Sequence, residues 1–114
     1  MMPLPDVWRR ALVAAGLGCA SVAAVGADDA AGRALASRHG CFACHGMVHK
    51  QVGPGFAQVA ERYRGDAAMP AQLAAKIRSG GVGNWGRVIM PRQVRVSEAD
   101  AQLLARWVLA QPAP

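Results

Sequence analysis

Aromatic residues, acids, cysteines and long apolar runs are all scarce in this chain of 114 residues. Its aromatics are two Phe, one Tyr and three Trp, and alanine supplies much of the rest of the apolar content. So few large side chains exclude a core that fills itself, and a chain of this size then needs a disulfide, a metal or a cofactor in its middle. Seven acids stand against 13 Lys+Arg, for a net charge of +6. The bases form no stripe along the chain, which argues against a nucleic-acid surface. No internal repeat or low-complexity segment appears after the first quarter.

The longest apolar run, "ALVAAGLGCASVAAV", covers 15 residues, short of the roughly 20 needed to cross a bilayer. Arg9 and Arg10 precede it, and Val25 at its end and Ala27 just beyond are small residues placed ahead of Asp28 and Asp29. This is the layout of a secretory signal peptide cleaved after Ala27. Residues 1–27 are therefore expected to be removed and 28–114 to form one domain. Cys19 offers an alternative, lipoprotein anchoring, although "GLG" before it lacks the usual large aliphatic residue. "WRRALV" only faintly resembles a twin-arginine signal, so export as an unfolded chain is expected. The 87 residues from Asp28 on keep 11 Lys+Arg and 6 Asp+Glu, a charge of +5 (11 minus 6). Their only cysteines are Cys41 and Cys44.

Short helices and long loops are expected, with no strand pattern. "DDAAGRALASRHG" reads as a helix stopped by Gly40, "FAQVAERY" as a short one, and Pro70 as the first turn of "PAQLAAKIRS". Gly53, Pro54 and Gly55 break "GMVHKQVGPG" into a loop. "GGVGNWGRVIMPRQVRV" reads as a long irregular segment in which glycines allow close backbone approach and Pro91 prevents helix after Met90. Ser97, with Asp100 three residues on, caps a last helix whose apolar face is Leu103, Leu104, Trp107 and Val108. Trp107 is expected where the first and last helices cross, with Gly32 or neighbouring alanines making room.

The chemistry concentrates in "GCFACHG", residues 40–46. A thioredoxin-like pair would need a strand before Cys41, and none is legible. A zinc site would need His39 or His49 beside Cys41, Cys44 and His45, an awkward set because three of its members crowd one five-residue stretch. Covalent haem attachment is the third reading, since C-x-x-C-H is a signal for it. Two thiols three residues apart share one side of a helical turn, where they can add to the two vinyl groups of a porphyrin, with His45 beneath the iron.

Together with "KQVGPGF", "GNWGRVIMP" and "SEADAQLLARWVLAQ", this motif resembles the class I cytochromes c, most closely the small bacterial monohaem cytochrome c-551 group, over essentially all of Asp28–Gln111. The resemblance implies an all-α fold of short helices and long loops around one haem c, attached through Cys41 and Cys44 with its iron between His45 and Met90. It implies that the Pro54 carbonyl accepts the other imidazole N–H, that Trp85 and Arg87, with Lys50 as a further candidate, lie near a propionate, and that Gln93 bonds the methionine sulfur. One extra residue in "PRQVRVS" departs from the family pattern and bears on Gln93. Met69 and Met47 are the competing methionines; Met69 lacks a glycine-rich approach and a following proline, and Met47 lies too near His45 to cross the haem. His39 and His49 read as surface residues.

The function implied is a periplasmic one-electron carrier between respiratory donors and acceptors, not an enzyme, because two axial ligands leave no open site for substrate. A dedicated haem subunit of an oxidoreductase complex, or a ligand-binding or peroxidatic haem protein, is the alternative. Arg87, Arg92, Arg95 and Lys50 would give a basic rim for redox partners with acidic docking faces. A monomer with no stable membrane insertion after processing and no nucleic-acid partner is expected.

Overall fold

The computed structural model describes residues 20–114, so Cys19 and most of the expected leader lie outside the described residues. Four helices follow one another: α1 (Ala20–Arg38), α2 (Phe56–Arg62), α3 (Met69–Ser79) and α4 (Glu98–Leu109), with a short 3-10 turn at Cys41–Ala43. α1 runs unbroken across the expected cleavage position. It stops where Gly40 takes a positive φ of 71°, which glycine adopts without a Cβ penalty.

α4 is the centre of the fold and packs against α1, α2 and α3. Its start is fixed by Ser97, whose Oγ accepts the Asp100 N–H at 3.1 Å. Ala101, Leu104, Ala105, Trp107 and Val108 form its buried face, meeting Leu35 and Ala36 of α1, Phe56 and Val59 of α2 and Ala74 of α3. Phe42, Phe56 and Trp107 meet edge to face, with Phe56 and Trp107 centroids 5.3 Å apart. The core is small, and alanines hold several of its places.

One element differs from the sequence expectation. Residues 81–90, read above as irregular, form an antiparallel hairpin of β1 (Gly81–Gly83) and β2 (Gly86–Met90), with Gly81 opposite Met90 and Gly83 opposite Gly86. Gly81, Gly83 and Gly86 have φ of 153°, 114° and 107°, and the register is irregular between the first two. The glycines that broke the helix pattern are thus what lets this short hairpin turn. The fold remains mostly helical. Among the described residues no helix is long and apolar enough to cross a membrane.

Candidate functional site

Helices α2, α3 and α4, the 3-10 turn and the hairpin surround one cleft that holds about 1600 Å³ between its walls, open mouth included. Cys41 and Cys44 reach it from the 3-10 turn, in which Cys44 N–H and His45 N–H both donate to the Cys41 carbonyl, at 3.2 and 2.9 Å. The two thiols are free, and burial pushes the Cys41 thiol above its ordinary pKa.

The loop after the motif folds back onto it. Val52 N–H and Gly53 N–H donate to the Cys44 carbonyl at 3.1 and 2.8 Å, and Phe56 N–H donates to the Gly46 carbonyl at 2.9 Å. This return carries the Pro54 carbonyl to 2.7 Å from His45 Nδ1. A carbonyl can only accept, so Nδ1 carries the proton and the lone pair is left on Nε2. The ring is held from two more sides. Phe56 stacks on it at 5.1 Å and 16°, and Gly53 lies so close that a Cβ there would stand 2.7 Å from His45 Cε1.

His45, Pro54, Trp85, Met90 and Gln93 all line this cleft with the two cysteines. Arg87 and Lys50 are exposed and not among its lining residues, and Lys50 is bridged through its backbone to His45. Lys76 of α3 is the cation on the cleft wall among the described residues, a position that no spacing in the sequence marked. Gln93 lines the cleft beside Met90, and its Nε2 donates to the Pro91 carbonyl at 3.0 Å. Met69 lines the cleft together with Met90, whereas Met47 packs against the core.

The cleft suits a flat, mainly apolar group. Val82, Val88 and Ile89 on its hairpin wall are 56%, 58% and 68% exposed, and a macrocycle seated there would take them out of water. Two free thiols, an imidazole with an available nitrogen and a thioether share the same walls, the donor set a covalently attached haem requires. Among the described residues no three His, Cys, Asp or Glu converge as a metal cluster, so the zinc arrangement is not built.

A mostly helical domain with a C-x-x-C-H turn on such a cleft is a c-type haem domain. The cytochrome c family model matches residues 30–111, and the chain belongs to that family. Cytochrome c-551 of Azotobacter vinelandii is 49% identical over 78 residues, covering 68% of this chain and 94% of the relative. Cytochrome c-552 of Nitrosomonas europaea is 38% identical over 106 residues, covering 93% of this chain and 97% of the relative. The crystal structure of wild-type Nitrosomonas europaea cytochrome c552 superposes with a TM-score of 0.67 at 40% identity, over 69% of this chain and 98% of that one. The chain's cofactor is accordingly haem c, covalently attached through Cys41 and Cys44, and its work is electron transfer.

Proposed function

We propose that this protein is a periplasmic one-electron carrier whose haem iron is held between His45 and Met90. The observation that carries the reading is the 2.7 Å bond from His45 Nδ1–H to the Pro54 carbonyl, which fixes the ring and its tautomer on the same cleft that Met90 lines. When bound, the haem supplies reversible one-electron exchange between Fe(II) and Fe(III).

The residues supply the rest. Pro54 orients His45 and raises its basicity, while Phe56 and Gly53 keep the ring from turning. Met90 closes β2 at the base of the hairpin, with Pro91 directly after it, whereas Met69 is buried in the first turn of α3. Position favours Met90 as the second ligand, and a thioether ligand in an apolar cleft raises the potential. Trp85 and Lys76 line the cleft, and their N–H groups would be available to pair with a propionate. With His45 and Met90 both holding the iron, no coordination site would be left for a substrate, and the protein acts as a carrier rather than an enzyme.

Export is supported by the two Nitrosomonas europaea comparisons. The relative's sequence matches 93% of this chain, while the solved chain is matched over 98% of its own length by only 69% of it. A segment the length of residues 1–27 that is absent from the folded relative fits a removed leader. Potentiometric titration of holoprotein recovered from the periplasm tests the reading. One haem, a one-electron Nernst slope and a weak Met–iron band near the red end are expected; a high-spin spectrum that changes on adding carbon monoxide to the reduced protein would instead indicate an open, ligand-binding site.

A further inference from the structure

Arg62 closes the last turn of α2, exposed and outside the cleft wall. Its Nη1 donates to the Asn84 carbonyl at 2.5 Å, and its Cζ lies 4.5 Å from the Trp85 ring centroid and 5.3 Å from that of Tyr63. The two rings meet edge to face at 6.2 Å and 83°. Asn84 and Trp85 are the turn that joins β1 to β2, and they line the cleft together with Tyr63. One guanidinium therefore ties the tip of the hairpin to the end of α2 from behind the wall.

Other ties lie at the opposite end of the hairpin. Its base is held by Gly80 N–H on the Lys76 carbonyl at 2.7 Å and by Gln93 N–H on the Ile77 carbonyl at 3.2 Å. Between base and tip the strands pair with each other, and Val82, Val88 and Ile89 stay exposed. A planar guanidinium can bond a carbonyl in its plane while its face stacks on an indole, which a lysine ammonium does less well.

We infer that Arg62 is a positioning residue: it latches the hairpin that forms one wall of the haem cleft, and so sets how often that wall opens to solvent and to outside ligands. The inference rests on the haem reading, and for its ligand-binding readout on Met90 as the iron ligand. The latch is local, so its loss leaves the α4 core closed.

The test uses holoprotein carrying Arg62→Gln, Arg62→Lys, Trp85→Leu, or Arg62→Gln together with Trp85→Leu. Amide hydrogen exchange across residues 81–90 and the rate of imidazole binding to the Fe(III) form are measured for each. Arg62→Gln is expected to speed both about tenfold, equivalent to about 1.4 kcal/mol of opening free energy, with exchange in α4 unchanged. Arg62→Lys should recover part of the loss, and Arg62→Gln should add little in the Trp85→Leu background. Wild-type exchange and binding rates in Arg62→Gln overturn the latch. Strictly additive effects in the double variant overturn it too, since they reduce Arg62 to a general charge. Exchange reads the hairpin whichever residue ligates the iron, so a wild-type holoprotein without a Met–iron band removes Met90 and still leaves the latch to be decided by exchange.

Discussion

Trp107 occupies the space that a side chain at Gly32 would need: a Cβ on Gly32 would lie 2.1 Å from Trp107 Cγ and 2.4 Å from Cδ1. The contact sets how closely α1 and α4 cross. It is backed by the indole N–H of Trp107, which donates to Asp29 Oδ1 at 3.0 Å.

Gly32→Ala tests that crossing because two effects oppose each other. Replacing a helical glycine by alanine ordinarily stabilises by about 1 kcal/mol. Forcing a methyl into filled space costs about 1–3 kcal/mol, and here the obstacle is the body of a buried indole. The clash should win and lower the Tm of the holoprotein by several degrees, since about 1 kcal/mol moves a domain this small by about 4–8 °C. A Tm at or above wild type would show that α1 shifts freely and that the crossing is loose.

Cofactor attachment and folding should fail together. Cys41→Ala with Cys44→Ala removes both attachment points, and the remaining core is alanine-rich with an apolar hairpin wall left in water. Wild-type protein should have the mass of the chain plus one haem and retain it through acid–acetone extraction. The double variant should show neither bound haem nor a cooperative thermal transition. A sharp unfolding transition in the haem-free variant would mean that the helices alone carry the fold.

The helices were legible because each has punctuation at its ends. Gly40 stops α1, Pro70 sits in the first turn of α3 and Ser97 caps α4, all read directly from residue type. The hairpin was not legible. Its strands are short, and its glycines at 81, 83 and 86 look like breakers until the pairing of Gly81 with Met90 is known, a relationship that no local pattern displays. The site divides in the same way. Cys41, Cys44, His45 and Met90 share the cleft that their motifs imply, because a motif carries its own geometry. Arg87, Lys50 and Lys76 are single charges whose positions depend on which side of a strand or helix faces inward, which residue type alone does not display: Lys76 lines the cleft, and Arg87 and Lys50 are not among its lining residues.

Met90 and Met69 both reach the cleft, so substitution decides between them. Met90→Ala should abolish the red-end Met–iron band and open the iron to imidazole in the oxidised protein and to carbon monoxide in the reduced one. Met69→Ala removes a buried side chain and should lower stability by about 2–5 kcal/mol while leaving the band intact. The reverse pattern would move the ligand to Met69.

Partner choice should follow where the charges converge. Arg38 and His39, at the end of α1, line one surface recess together with Arg92 and Arg95, while Arg87 and Lys50 lie elsewhere. None of the acids after residue 27 lines that recess, and it adjoins the haem cleft through Gln93, which lines both. Positive charge beside the cofactor steers encounter with an acidic face more than it adds affinity, and can change on-rates by about tenfold or more at low salt. Arg92→Glu with Arg95→Glu should therefore slow electron transfer to the physiological acceptor. Arg38→Glu should act in the same direction although it is more than fifty residues away in sequence, and Lys50→Glu should do less than either. The losses should shrink as ionic strength shortens the Debye length to about 3 Å at 1 M, with the optical spectrum unchanged throughout. Stopped-flow oxidation over a salt series measures this. Equal rates for Arg38→Glu and wild type at low salt would remove the recess from the docking face, and a larger effect from Lys50→Glu would place that face on the loop after His45.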